Sequence, residues 1–309
     1  MNKAKVAVLL STYNGARYLR EQIDSILNQK DVNVLLYIRD DRSTDDTPKI
    51  LKEYEHHENL SARYAENVGA PASFMDLVRT VPLEADYYAF ADQDDIWQSE
   101  KLIRATDAIR ACRKEAEPVL YASNQTVADQ NGMPLRIRFP KNPPIDLLNI
   151  IDKNYIAGCT FVFNRALMVA LRSCEQPTEL IESRMHDTWV AVVAAATGTV
   201  LYDENSYILY RQHDNNVVGV RTESCFKRVL KRIRTKTNFY HADMAEVLLR
   251  LYSGSLTEQN REVLNLYSHT RTFSGKIGFL KSGLFRKTYY RNKLSFGIKL
   301  LLFERGDKT

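Results

Sequence analysis

Three carboxylates within four positions, Asp92, Asp94 and Asp95 around Gln93, form a dense group of side chains able to do chemistry. Like charges so close repel one another unless something positive joins them. A hard divalent cation is the economical partner. Mg²⁺ takes one or two carboxylates together with substrate phosphates, and Mn²⁺ suits the same oxygen-rich donors. The spacing also fits a solvated acidic loop, or a cap for a helix over residues 99–111. The preceding run, Tyr87 to Ala91, is apolar and strand-like. Carboxylates at the carboxyl end of a buried strand stand where open α/β sheets bind ligands.

Two more polar loops follow strand-like runs in the same way. Ser11-Thr12-Tyr13-Asn14-Gly15 comes after Val6 to Leu10, and Asp40-Asp41 after Val34 to Ile38. A tyrosine ring can stack on a base, and a carboxylate such as Asp41 can accept a ring N–H. Each loop alone reads as a turn or a helix cap; three at neighbouring strand ends would converge on one crevice.

The elements between these loops have the periodicity needed to hold them. Leu19, Ile23, Ile26 and Leu27 share one helical face, as do Ile50, Leu51 and Tyr54 after Thr47-Pro48. Ala62 to Ala65 is a weaker strand, and Pro71 opens a helix carrying Phe74, Leu77 and Val78. Strands alternating with helices predict an α/β fold on a mostly parallel sheet. Further on, strands are expected at 119–122, 159–163, 200–202 and 207–210, a hairpin turn at Asp129 to Gly132, and helices at 165–171 and 189–196. Trp189 reads as core. Trp97 fits core and substrate stacking equally. His56, His57, His241 and His269 lack ligand spacing and read as surface residues.

The composition is that of an ordinary globular chain: 309 residues, 44% apolar and 26% charged. Four scattered cysteines form no CxxC pair, which points to a reducing compartment rather than zinc or a disulfide framework. No run of about 18 apolar residues predicts a membrane-spanning helix, and the short apolar run near the start is no signal peptide. A cytoplasmic location is expected. The net charge of +5 is unevenly spread: residues 221–309 carry 19 Lys/Arg against 7 Asp/Glu, and residues 1–220 carry 24 against 31. An acidic catalytic domain over 1–220 and a basic, mainly helical extension over 221–309 are expected. In the extension, Phe226, Val229, Leu230 and Ile233 face away from Lys227, Arg228, Lys231 and Arg232. This face either packs on the catalytic domain or meets anionic inner-leaflet lipid.

The segments STYNG (11–15), DDRSTDDT (40–47), ENVGAPASF (66–74) and ADQDDIW (91–97), in this order and spacing, resemble the inverting family 2 glycosyltransferases of the GT-A fold. The likeness is strongest to the bacterial rhamnosyltransferase-like branch that builds surface polysaccharides. Gly158-Cys159-Thr160, His186-Asp187-Thr188-Trp189 and Tyr210 to Asn216 extend it over about residues 4–219. The resemblance implies that Ser11, Thr12, Tyr13, Asp40 and Asp41 line a nucleotide base site and that Asn67 and Gly69 border the nucleotide. Asp92, Gln93 and Gly158 would also face the sugar-nucleotide. Asp94, Asp92 and His213 would hold Mg²⁺ or Mn²⁺, and Asp187 would be the general base. His186 and Thr188 depart from the family's usual residues and would alter acceptor fit. The implied activity moves a sugar from a UDP- or dTDP-linked donor to a hydroxyl of a glycan or lipid-diphosphate-linked acceptor.

Two other functions weigh against this one. A sugar-1-phosphate nucleotidyltransferase would lead with a glycine-rich loop and a basic residue, where this chain has Thr-Tyr-Asn-Gly. A nucleic-acid- or membrane-binding protein would use the basic tail but leave the acidic two-thirds unexplained. No nucleic-acid partner is expected.

Overall fold

The computed structural model describes residues 3–213, 241–288 and 300–301. The first four strands are β1 (Ala4–Thr12), β2 (Val32–Asp40), β3 (Leu60–Tyr64) and β4 (Tyr87–Ala91). Between them run the helices α1 (Leu19–Leu27), α2 (Thr47–Glu53) and α3 (Ala70–Thr80). All four strands are parallel, in the order β3-β2-β1-β4. The chain moves outward from β1 to β3 and then returns to the other side of β1. The strand order therefore reverses at β1, and the crevice at such a switch point is where open sheets bind ligands. The register Leu10↔Ala91 brings Ser11 beside Asp92, and Thr12↔Asp40 places Asp41 next to them.

Beyond β4 the sheet becomes mixed. It adds β5 (Ile96–Trp97), β6 (Val119–Ala128), β7 (Pro134–Ile137), β8 (Val162–Asn164) and β9 (Thr199–Arg211). β8 lies antiparallel between β4 and β6, β9 is parallel to β6, and β5 closes the far edge against β9. β7 returns antiparallel to β6 as the expected hairpin, with Gly132 N–H donating to Asp129 O at 3.0 Å.

The helices of this half are α4 (Lys101–Ala111), α5 (Leu147–Ile150), α6 (Arg165–Arg172), α7 (Thr178–Arg184) and α8 (His186–Thr197). They complete a three-layer arrangement set by the pleat of β1. Val6, Val8 and Leu10 face a core shared with α1, α2 and α4. Ala7 and Leu9 face the other core, with α3, α6 and α8.

Two sequence expectations change here. The strands expected at 200–202 and 207–210 are one strand, because the pairing slips between Ser123 and Asn124 and resumes. Asp203 makes the slip tolerable by accepting the Asn205 N–H at 2.9 Å. The strand expected from Cys159 begins only at Val162, since Gly158–Thr160 forms a 3₁₀ turn.

The C-terminal helices α9 (His241–Leu251), α10 (Glu258–Ser268), α11 (Phe273–Lys281) and α12 (Gly283–Lys287) lie within 221–309. Leu248, Tyr252, Leu264, Tyr267 and Phe279 join the same core as Phe90 and Trp189. Asn260 Nδ2 donates to Ala195 O and Ala196 O at 3.0 and 2.8 Å, anchoring α10 to the end of α8. His241, expected at the surface, is 3% exposed and sits 2.9 Å from Asp152 Oδ1. Its neighbours Ala242 and Ala245 carry the buried face of α9 and take it inward. The basic amphipathic segment at 226–234 lies outside the described residues. No described helix is long and apolar enough to cross a membrane.

Candidate active site

A cleft of about 930 Å³ opens at the carboxyl ends of β1, β2 and β4. Ser11, Tyr13, Asp41, Asn67 and Gly69 form one of its walls. Asp92, Gln93, Asp94 and His213 lie on its floor, and Gly158 and Asp187 on its far wall. Thr12 and Asp40 stand one layer behind. Asp40 is 1% exposed and accepts both the N–H and the hydroxyl of Ser43, at 3.1 and 2.5 Å, which shapes the loop after β2. Thr12 donates to Gln93 Oε1 at 2.6 Å.

Gln93 ties two loops together. Its Oε1 also accepts the Tyr13 N–H at 2.8 Å, and its Nε2 donates to Tyr13 O at 3.1 Å. Gly15 lies so near that a Cβ there would come 2.3 Å from Gln93 Oε1. The Tyr13 ring is left 47% exposed at the cleft, free to lie against a planar group. Asp41 is nearly saturated. Arg39 pairs with Oδ1, while Oδ2 accepts the N–H groups of Val68 and Gly69 at 3.1 and 2.8 Å. Arg39 also reaches Asp76 at 2.8 Å and Glu66 O at 3.0 Å, so this buried pair is braced on both sides. Gly69, with φ of +79°, makes the turn that brings these amides to Asp41.

On the floor, Asp94 Oδ2 lies 2.8 Å from His213 Nε2, and the His213 ring stacks on Tyr18 at 5.0 Å. Arg211 holds the acidic loop in place: its backbone N–H donates to Asp95 Oδ1 at 3.3 Å and its Nε to Asp94 O at 3.0 Å. Its guanidinium lies over Tyr18 and pairs with Glu21 at 2.6 Å. Burial, and then the charges of Asp94 and Asp187, push the Asp92 carboxyl up to about 7. Carboxylates that repel one another beside an open cleft fit a divalent cation; the oxygens of Asp92 and Asp94 suit Mg²⁺ or Mn²⁺, and the His213 imidazole, paired with Asp94, can complete the set.

Among the described residues, the one group of three or more acidic, histidine or cysteine side chains whose ligand atoms all lie within 4.8 Å of one another is Asp92, Asp95 and Cys159. That group is a poor seat for a hard ion. Asp95 is fully buried, and burial holds the Cys159 thiol well above its usual range, so it stays protonated. Below it, Lys101 is 1% exposed with its ammonium 3.5 Å from the Trp97 ring centroid. Trp97, at 3% exposed, is therefore core.

Asp187 lies in the first turn of α8 and accepts the Gly158 N–H at 3.3 Å. The Thr188 hydroxyl stands 3.4 Å from its other oxygen. Burial pushes its carboxyl up to about 6, against the lowering pull of these hydrogen bonds and of Arg138. A Cβ at Gly158 would come 3.0 Å from Asp187 Cβ and 3.1 Å from His186 Nε2, so glycine permits this approach. His186 packs its ring 4.0 Å from that of Phe74, and burial lowers it to about 3. It is a neutral wall beneath the carboxylate. Met185, with φ of +76°, makes the sharp entry into α8 that aims Asp187 at the cleft.

Sequence reasoning missed Arg138, Tyr18 and Arg211. Arg138 lines the cleft between the Phe139 and Tyr210 rings and is held by Gln125. Arg211 stood inside a noted motif, which is the one signal that pointed to it.

Residues 7–168 match the Glycosyl transferase family 2 profile. The chain is 29% identical to the dTDP-rhamnosyl transferase RfbG of Shigella flexneri over 259 residues, covering 77% of this chain and 83% of that protein. It is 30% identical over 164 residues to TuaG of Bacillus subtilis, provisionally described as a teichuronic acid biosynthesis glycosyltransferase, covering 52% and 62%. The fold matches S. aureus TarS 1-349 in complex with UDP-GlcNAc, with a TM-score of 0.58, 19% identity, and coverage of 96% of this chain and 81% of that one. With its GT-A sheet, switch-point cleft and acidic loop, this chain belongs to glycosyl transferase family 2.

Proposed function

We propose that the protein transfers a sugar from a pyrimidine-nucleoside diphosphate donor to a saccharide hydroxyl, with inversion, in bacterial surface polysaccharide synthesis. The observation that carries this reading is the two-sided cleft: Asp92, Asp94 and His213 on its floor, and the Asp187 carboxylate on the far wall. The similarity to RfbG makes dTDP-rhamnose the first donor to test.

The nucleotide lies along the Ser11–Gly69 wall, with its base against Tyr13 and near the Asp41 carboxylate. Mg²⁺ or Mn²⁺ held by Asp94, Asp92 and His213 would neutralise charge on the departing diphosphate. Asp187 takes the proton of the acceptor hydroxyl as its oxygen bonds to the anomeric carbon and the bond to the diphosphate breaks. A carboxyl near 6 is ionised at neutral pH yet retains useful basicity. The Gly158 N–H and the Thr188 hydroxyl fix its orientation. A single base opposite the leaving group means one displacement, so the product has the anomeric configuration opposite to the donor's.

The test is a panel of UDP- and dTDP-sugars with Mn²⁺, Mg²⁺ or EDTA, read as donor turnover and as anomeric configuration by NMR. Retention of configuration, or release of diphosphate from a nucleoside triphosphate instead, would sink the reading.

A further inference from the structure

Among the described residues, four tyrosines line the cleft. Tyr13 stands on the Ser11–Gly69 wall, Tyr18 is covered by His213 and Arg211, and Tyr210 is 8% exposed with Arg138 over its ring. The fourth, Tyr155, is partly exposed. It stands three residues before Gly158, whose N–H donates to Asp187, so it belongs to the far wall. At most about 10 Å of chain separates the two. The turn that carries Tyr155 is closely held. Asn154 Oδ1 accepts the Ile156 N–H at 3.1 Å, and its Nδ2 donates to Ile156 O at 2.8 Å. Ile156, 3% exposed, sinks into the core shared with Trp189. Tyr155 stays at the cleft, its ring set edge-on to Phe139 at 6.4 Å.

The C-terminal helices brace this turn from behind. His241, at the start of α9, pairs with Asp152 at 2.9 Å. Its ring lies 5.7 Å from that of Tyr267 in α10, whose hydroxyl donates to Leu148 O at 2.9 Å. His241 and Tyr267 are 3% and 0% exposed, so both ties lie in the interior. They fix residues 148 and 152, and the chain runs from there straight into the Tyr155 turn. A pyranose has a face of C–H groups and a rim of hydroxyls. An aromatic ring in a cleft takes the face, and polar groups beside it take the rim. Arg138 is such a group, since its guanidinium lies 5.1 Å from the same Phe139 ring that Tyr155 meets. The hydroxyl to be deprotonated must reach Asp187, and the nucleotide occupies the opposite wall. The sugar that bears this hydroxyl therefore lies within reach of Tyr155.

We infer that Tyr155 is the stacking platform for the acceptor sugar, set in place from the C-terminal helices by the His241–Asp152 pair. The assignment rests on the glycosyl-transfer reading and names the residue that selects the acceptor, a pyranose presenting an apolar ring face. Tyr155 touches the sugar. His241 acts through Asp152 and is a positioning residue.

The experiment is saturation-transfer NMR on the full chain with Mn²⁺ and saturating dTDP or UDP. The probes are the methyl glycosides of rhamnose, glucose, galactose and N-acetylglucosamine. Wild type is expected to saturate the ring protons of at least one of them. Tyr155→Ala should raise the dissociation constant of that glycoside about tenfold, and Tyr155→Phe should hold it within about twofold because the ring remains. His241→Gln should weaken it about threefold, and Asp152→Asn should add nothing further in the double variant. Nucleotide affinity, measured by calorimetric titration, should be unchanged throughout, a split that general loosening of the fold would not give. No saturation of any glycoside by nucleotide-bound wild type would overturn the inference. So would equal binding by Tyr155→Ala, or a Tyr155→Phe variant as weak as Tyr155→Ala. Unchanged glycoside binding by His241→Gln would overturn the bracing role. Failure of wild type to bind either nucleotide would instead sink the glycosyl-transfer reading itself.

Discussion

Replacing Asp187 with Asn removes a charge and almost no volume, and the structure assigns two opposite consequences to that change. The carboxyl is raised from 3.8 to about 6, chiefly by burial. A group that holds its proton more tightly when folded destabilises the fold once it ionises. Below about pH 4 the proton is bound in both the folded and unfolded chains, and no penalty exists. The penalty grows between the two pKa values and is complete above about pH 6. At 1.36 kcal/mol per tenfold change in proton affinity it reaches about 3 kcal/mol at neutral pH, an upper bound because the residue borders an open cleft. The same linkage gives about half that penalty at pH 5. Asn keeps an oxygen for the Gly158 N–H and turns its amide toward solvent. Asp187→Asn should therefore raise the thermal midpoint of the metal-free protein by about 2–6 °C at pH 7.5, and by less at pH 5. Transfer should be abolished while donor binding persists. Thermal melts across pH 5–8, paired with calorimetric titration of the donor nucleotide, test both halves. A midpoint that falls, or a difference that does not change with pH, would refute the electrostatic account of Asp187 even if activity were lost.

Other perturbations address the rest of the site. Gly158→Ala should push Asp187 and His186 back from their present separations and lower kcat by about 10- to 100-fold with little change in donor KM, read from steady-state kinetics. In wild type, kcat/KM for acceptor should fall tenfold per pH unit below an apparent pKa near 6, because the base is lost when Asp187 gains its proton; a flat profile between pH 5 and 7 would count against Asp187 as the base. Gln93→Ala releases Tyr13 from its two-way clamp and should raise donor KM several-fold at nearly unchanged kcat, the loss of about 1 kcal/mol of hydrogen bonding. His213→Ala should raise the Mn²⁺ concentration for half-maximal rate by about 10-fold or more, and a variant with unchanged metal dependence would remove His213 from the metal site.

The parts of this structure that were legible in the sequence are those set by local pattern. Val6–Leu10, Val34–Ile38 and Tyr87–Ala91 are apolar runs followed by polar residues, and each lies within, or spans, a parallel strand whose end meets the cleft. The mixed half was less legible because distant pairing decides it. Thr199–Arg211 reads as two strands until β6 supplies a partner that tolerates the slip at Asp203. β5 has only two residues, too few for any periodicity to register. His241 reads as a surface histidine because Asp152, its half-buried partner, lies 89 positions away.

The same distinction separates the residues proposed to do the chemistry from those that hold them. Asp92, Asp94 and Asp187 belong to recognisable local segments, so their types and spacing announce them. Arg211 acts by bridging Asp94, Asp95, Gln130 and Glu21, and the last of these lies 190 positions away. Nothing near Arg211 in the chain says that it needs those partners. Its work is nevertheless what makes the acidic loop usable. Carboxylates that repel one another would splay toward solvent if the loop were loose, and the repulsion that favours a cation would dissipate. By fixing Asp94 from the backbone and covering Tyr18, which in turn stacks on His213, Arg211 holds the repelling groups at a fixed spacing. The proposed metal site depends in that sense on the long-range frame as much as on the acidic motif, and substitutions at Arg211 should weaken the Mn²⁺ dependence of transfer without touching a single proposed ligand.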